Sequence, residues 1–264
     1  MIGLVLGVVV LGAFPVAAQF VGTGILFDLG GGAGGFVWGP CAVACVGWAN
    51  PAGLGWNSGI ELCSGTGTQL GAAQVLTIDA SGPGWRVEAL ALDAGEIVPG
   101  LRYRVEGLAA GGGLTLGNFG LGVQARVLRP VAPVKGLGWS LDLGLLWSGP
   151  LALGLVGKSV ISSPCFPGED WPRDLALGLA WPWTADPWSG VLAFGLQDVL
   201  AGTWTWAVAG EVAVGPVALR VGLRPDTLLV GGSVTWALFR LDWGYGLHSI
   251  LPPSFRVSLA VRFE

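Results

Sequence analysis

Residues 254–263 put Phe255, Val257, Leu259, Val261 and Phe263 on one parity and Arg256, Ser258, Ala260 and Arg262 on the other. Successive side chains of a β-strand point to opposite faces, so this stretch is a strand with one apolar face and one face carrying two arginines. The preceding stretch repeats the design. Phe239, Leu241, Trp243, Tyr245 and Leu247 alternate with Arg240, Asp242, Gly244, Gly246 and His248. Both segments have the length and pattern of strands that cross a lipid bilayer in a closed barrel. From residue 59 onward fourteen segments alternate in this way: 59–66, 72–80, 85–93, 101–111, 117–129, 138–147, 151–161, 174–183, 190–200, 203–214, 216–224, 227–238, 239–248 and 254–263. Each approaches the roughly ten residues a tilted strand needs to cross the hydrocarbon layer.

Composition identifies the solvent. The chain is 52% hydrophobic and only 11% charged, with 47 glycines and 14 tryptophans, and its mean hydropathy is +0.67. That is too apolar for an ordinary water-soluble domain. The long uninterrupted apolar run, 2–18, ends Pro15-Val16-Ala17-Ala18 before Gln19, with small residues where a signal peptidase reads. It is read as a signal peptide; lacking a Lys or Arg at its start, it has an uncleaved N-terminal helix as its alternative. A net charge of -4 and no basic cluster exclude nucleic acid as a partner. After export, Cys41, Cys45, Cys63 and Cys165 would meet an oxidising envelope, where they either pair or serve as small buried residues. The Cys-x3-Cys spacing of Cys41 and Cys45 has no nearby His, so no metal and no cofactor is expected.

The connections follow the rule for outer-membrane barrels, short on the periplasmic side and longer outside. The short set is Ser81-Gly82-Pro83-Gly84, Gly111-Gly112-Gly113, Ser148-Gly149-Pro150, Gly215-Pro216 and Leu238/Phe239, with 184–189 its one longer member. The long set is 94–100, 130–137, 162–173 and 249–253, rich in Pro and Gly. Trp139 and Trp147 stand at opposite ends of one segment on the parity of Leu141, Leu143 and Leu145; Trp181, Trp183, Trp204, Trp206, Trp236 and Trp243 join them as outward, membrane-interface aromatics.

The opposite parity collects Arg102, Arg104, Glu106, Gln124, Arg126, Asp142, Lys158, Gln197, Glu211, Arg220, Arg224, Arg240, Asp242, Arg256 and Arg262, interspersed with Gly, Ala and Ser. Charges on the lipid face cost about 2–4 kcal/mol each at the midplane, so these are read as facing the lumen, mostly as a structural ladder of ion pairs. Fourteen strands enclose more room than Gly, Ala and Ser can fill, so water or a plug must occupy the bore. Residues 19–57 do not alternate. They contain Gly30-Gly31-Gly32-Ala33-Gly34-Gly35, an apolar stretch 41–48 with the length of one or two helical turns, and Asn50-Pro51-Ala52-Gly53-Leu54. Asn50 can start a turn, Pro51 fixes its own φ and Gly53 permits a close reversal, so the pentapeptide ends the helical stretch and turns the chain towards the first strand. This leader is read as an N-terminal hatch folded into the lumen, with a loose periplasmic tail as the alternative. His248 stands alone beside Ser249 without a placed nucleophile and orienting group, so no enzyme and no catalytic residue is expected.

The leader with Asn50-Pro51-Ala52-Gly53-Leu54, the segment Leu219-Arg220-Val221-Gly222-Leu223-Arg224 before an acidic turn, Leu241-Asp242-Trp243-Gly244-Tyr245 and the final strand together resemble the PorV/PorQ-like outer-membrane proteins, relatives of the FadL-type transporters of hydrophobic compounds. The resemblance implies a fourteen-stranded barrel in the bacterial outer membrane with an N-terminal hatch. It implies one of two roles: a plugged channel for small or hydrophobic molecules, or a non-conducting barrel that serves protein secretion or surface attachment and engages an envelope partner through its outer loops. The chain departs from the FadL type in its short loops and in ending at Glu264. The expected organisation is therefore an all-β transmembrane barrel with a signal peptide at 1–18, a hatch at 19–57 and the barrel at 58–264.

Overall fold

The computed structural model describes residues 32–44, 49–133, 135–166, 171 and 173–263. The signal-peptide reading at 1–18 and the leader up to residue 31 lie outside the described residues. Fourteen antiparallel strands form one closed barrel, each paired with its sequence neighbours. They are β1 (Ile60–Gln69), β2 (Ala73–Gly82), β3 (Trp85–Val98), β4 (Leu101–Leu116), β5 (Phe119–Ala132), β6 (Gly138–Trp147), β7 (Ala152–Ser163), β8 (Asp174–Ala185), β9 (Trp188–Gln197), β10 (Thr205–Val214), β11 (Val217–Arg224), β12 (Thr227–Trp236), β13 (Phe239–His248) and β14 (Ser254–Phe263). Closure runs from Ile60↔Phe263 to Thr68↔Phe255 between β1 and β14, so no sheet edge remains open to lipid.

Period-two alternation sets the wall. In β6, Ser140, Asp142 and Leu146 are buried while Trp139, Leu143 and Leu145 are exposed. In β14, Ser254, Arg256, Ser258 and Ala260 are buried and Phe255 and Leu259 exposed. Exposed Leu, Val, Phe and Trp side chains cover the outer surface, the inverse of a soluble protein and the arrangement of an outer-membrane-type barrel.

The turns next to the chain's strand termini are tight: Pro83-Gly84, Gly117-Asn118, 148–151, Asp186-Pro187, Gly215-Pro216 and Ala237-Leu238. Gly84, Gly117 and Gly215 hold positive φ there, which only glycine adopts without strain. Two expectations for this end are corrected. Gly111-Gly112-Gly113 is not a turn but lies inside β4, and the β8–β9 connection is as tight as its neighbours because both strands extend into 184–189. The triple glycine has a packing cause, since a Cβ on Gly113 would sit 2.5 Å from the Pro51 carbonyl oxygen. At the other end the longest connections are 164–173 and 198–204, and Trp204 lies in the second of these rather than in a strand.

Candidate functional site in the barrel interior

A segment from before the wall lies against the inner face. Helix α1 (Gly32–Trp38), the 3-10 turn Gly39–Ala44 and the 3-10 turn Pro51–Trp56 pass around the bore in that order. The first meets β10–β14 and β1, the second β7–β10, and the third β3–β6. A helical turn also forms in the glycine-rich run, which the sequence did not suggest; of the stretch 41–48, residues 41–44 lie in the 3-10 turn Gly39–Ala44, and 45–48 lie outside the described residues. Packing overrides propensity here: a glycine-rich helix is thin enough to place Phe36 and Val37 against Gly231, Gly244 and Gly246.

Asn50 is the pin of this segment. It is fully buried and N-caps the third turn, its Oδ1 accepting from the Ala52 N–H at 3.0 Å. Its Nδ2 donates to the carbonyls of Val43 and of Leu145 in β6, each at 2.9 Å. One amide therefore joins two parts of the segment to each other and to the wall. The Leu54 carbonyl accepts from Gly84 N–H at 3.1 Å, and Ala33 N–H donates to Ser258 Oγ at 3.0 Å.

The wall is cut to fit. A Cβ on Gly178 would lie 2.6 Å from Ala44 N, and one on Gly222 2.5 Å from the Val37 oxygen. At Gly120, Gly122, Gly144 and Gly154 it would overlap Trp56, Pro51, Asn50 and Val43 respectively. Leu54 packs on Gly111 and Gly113, and Trp56 on Gly120. Glycines on eight strands, β4 to β8 and β11 to β13, thus form the seat of one segment.

The largest charge cluster lies along β10–β13 and β1. Arg220 donates to Glu211 on the neighbouring strand, to Asp242 at 2.8 Å and to Ser233 at 3.1 Å; Arg240 donates to Asp242 at 2.8 Å and, in a fork, to both oxygens of Glu61 at 2.9 Å. The Arg240–Glu61 pair crosses over β14 and so spans the strand at which the barrel closes. Arg126 and Asp142 form a second buried pair at 2.5 Å, Asp142 also accepting from Ser159 N–H at 2.7 Å. Arg224 is on the buried parity of β11. Buried Arg256 lies 5.1 Å over the Phe36 ring and donates to Gln69. Arg262, at the rim, donates to Ser58.

Three residues expected in the lumen are outside it. In β4 the buried parity is Val105 and Ala109, while Arg102, Arg104 and Glu106 share the other parity with exposed Leu108. The reason is length: β3, β4 and β5 continue beyond the neighbouring strands, and outward charge costs little once the strand has left hydrocarbon. Conversely, Glu61, Asp79, Arg86, Glu88 and Asp174 belong to the inner face and were missing from the expected set. Arg86 bridges Asp79 at 3.5 Å and Glu88 at 3.3 Å. The signal was present in the alternation of Arg86 and Glu88 with Trp85 and Val87.

Of the expected interface tryptophans, Trp139, Trp181, Trp204, Trp206 and Trp236 are exposed and Trp147 is half-buried. Trp243 is at neither end of its strand. It pairs with Gly232 and Val257 near mid-strand, and its ring covers Gly232. Its position is set by filling the space a glycine leaves, not by the headgroup level.

At the outer rim, His248 Nδ1 is 2.9 Å from Thr227 Oγ1 and its Nε2 3.1 Å from Ser254 Oγ. Ser254 Oγ also accepts from Leu70 N–H, and Thr227 donates to Asp226. This chain ties three hairpins together. At the same end of the barrel an apolar cluster of Val75, Leu90, Val105, Leu128, Cys165 and Trp171 brings the β7–β8 connection onto the inner faces of β2–β5.

No family model matches the sequence, and no curated protein matches it. Solved structures do. The CymD monoaromatic hydrocarbon channel superposes with a TM-score of 0.60 at 12% identity, covering 90% of this chain and 98% of that one. The outer membrane protein Omp33 of Acinetobacter baumannii gives 0.53 at 7% identity, covering 79% and 100%. The likeness is one of fold. Each neighbour is matched over almost its full length.

Proposed function

We propose that the protein is an outer-membrane channel for small hydrophobic molecules, kept closed by its own N-terminal segment acting as a hatch. One observation carries the reading: inner-face glycines on eight strands are matched to that segment, and most would clash with it if they bore a Cβ. A bore shaped around a removable filling, rather than filled by wall side chains, is what a gated passage needs and what a solid barrel does not. The apolar cluster at the outer mouth, which includes Trp171 and Leu128, favours an apolar solute over an ionic one. The fold of a hydrocarbon channel and the resemblance to PorV/PorQ-like and FadL-type proteins agree with this assignment.

The same filling supports a second reading, a non-conducting barrel that holds an envelope partner at its outer loops. Liposomes carrying the purified protein separate the two. A channel admits a small apolar dye slowly and, after deletion of residues 19–57, quickly. A scaffold admits none in either form and co-purifies with a partner protein through the 164–173 connection.

A further inference from the structure

We infer that the outer face of β3–β5 carries a binding site for the phosphate of an outer-leaflet lipid, formed by Arg102, Arg104 and Arg129. The register fixes its height. Ala89, Leu108, Val127 and Trp139 lie in one cross-strand row on the outer surface. On β5 the outward column below it, from Phe119 to Val127, is wholly apolar. The next row is Ala91, Glu106 and Arg129, followed by Asp93 and Arg104, and then Arg102. Tryptophan favours the edge of the hydrocarbon layer. One pleat farther along a strand is about 7 Å, which brings Arg129 from the level of exposed Trp139 to that of the headgroups.

Ion pairing leaves the guanidiniums facing out. Glu106 accepts from both Arg104 and Arg129, and Asp93 from Arg102. The carboxylate side chains are only 29% and 26% exposed, whereas the arginines are 43%, 63% and 58% exposed in that order. Glu96, the register partner of Arg102, caps the upper end of the patch and directs the site towards Arg104 and Arg129. Each guanidinium has five donors in a planar fork, and these contacts use only part of them, so donors suited to phosphate oxygens remain on the outer side. The other strand charges described above point inward. Three outward arginines in one sector, one pleat above the apolar band and more exposed than the carboxylates that pair with them, have the position of a headgroup contact.

The test uses the full-length protein in mild detergent, with native mass spectrometry after incubation with phosphatidic acid, with diacylglycerol of the same chains, or with phosphatidic acid plus excess inorganic phosphate. The native barrel should retain phosphatidic acid, reject diacylglycerol, and keep the lipid against free phosphate. The triple variant R102Q/R104Q/R129Q should lose it, while Arg173→Gln, which removes an exposed arginine elsewhere, should not. Glu106→Gln should retain the lipid because it releases donors on Arg104 and Arg129. Unchanged retention in the triple variant would overturn the site; displacement by inorganic phosphate would reassign it to a free anion. Equal loss in Glu106→Gln and the triple variant would reduce the cluster to an ion-pair staple.

Discussion

The two sides of the bore are held by different means. Along β10–β14 and β1 the inner face carries Glu211, Arg220, Ser233, Arg240, Asp242 and Glu61, joined strand to strand by charged hydrogen bonds. Along β7–β9 it carries Gly154, Val156, Ala176, Gly178, Ala180 and Ala193, too small to reach one another across the bore. There the inner segment supplies the contacts, with Val43 packed on Val156 and Ala176, and Cys41 and Ala44 beside Ala180 and Ala193. One side is cross-linked by the wall itself; the other depends on a filling that is not part of the wall. A hatch that leaves would cost the second side its packing, whereas the first would lose its contacts with Phe36 and Val37 but keep its ion-pair ladder.

Asp242 gives the hardest blow to the first side. It is almost fully buried and accepts from both Arg220 and Arg240. Asp242→Ala should cost about 3–5 kcal/mol, because two charged hydrogen bonds lose their shared buried acceptor and Arg220 and Arg240 keep only Glu211 and Glu61. The midpoint of heat unfolding, read from the mobility of the folded barrel on gels, should fall sharply. An unchanged midpoint would erase the contrast between the sides.

Asn50→Ala attacks the segment instead. Losing one amide with three buried hydrogen bonds should weaken the seating by about 2–3 kcal/mol. Protease should then cut residues 49–57 faster while the barrel's own unfolding midpoint stays nearly constant. If the midpoint falls as far as in Asp242→Ala, the segment is part of the wall's stability and the two sides are not distinct.

How far the sequence reveals this design depends on which solvent each residue meets. Strands 138–147, 239–248 and 254–263 are legible to the residue because lipid on one face and charge on the other leave no second register. The signal fails where that contrast ends. Arg102, Arg104 and Glu106 alternate as lumen residues would, but they lie on the outer face above the hydrocarbon layer. Gly111-Gly112-Gly113 reads as a turn because the clearance it provides depends on Pro51 and Leu54, more than fifty residues away. Asn50 was recognisable as a turn former, yet its bond to the Leu145 carbonyl has no local signature.

Gly178→Ala sharpens the comparison on the side that relies on packing. The new methyl would meet Ala44 N at 2.6 Å, and about 1–2 kcal/mol of strain should fall on the seat rather than the wall. Faster clipping of the segment with an unchanged barrel midpoint is the expected result. Ser233→Ala should have the smallest effect, about 1 kcal/mol, since Arg220 keeps Glu211 and Asp242 when its bond to Ser233 is lost. A larger loss in the unfolding midpoint would mean that the ladder depends on its neutral member.

The central claim is that residues 50–56 are seated in the bore of the folded barrel. Hydrogen–deuterium exchange of the intact protein tests it most directly, because the amide of Ala52 is bonded to Asn50 Oδ1 and that of Gly53 to the Asn50 carbonyl inside the wall. Protection of these amides for as long as those of β6 is the predicted result. Exchange as fast as an unstructured peptide's, with β6 still protected, would contradict the account.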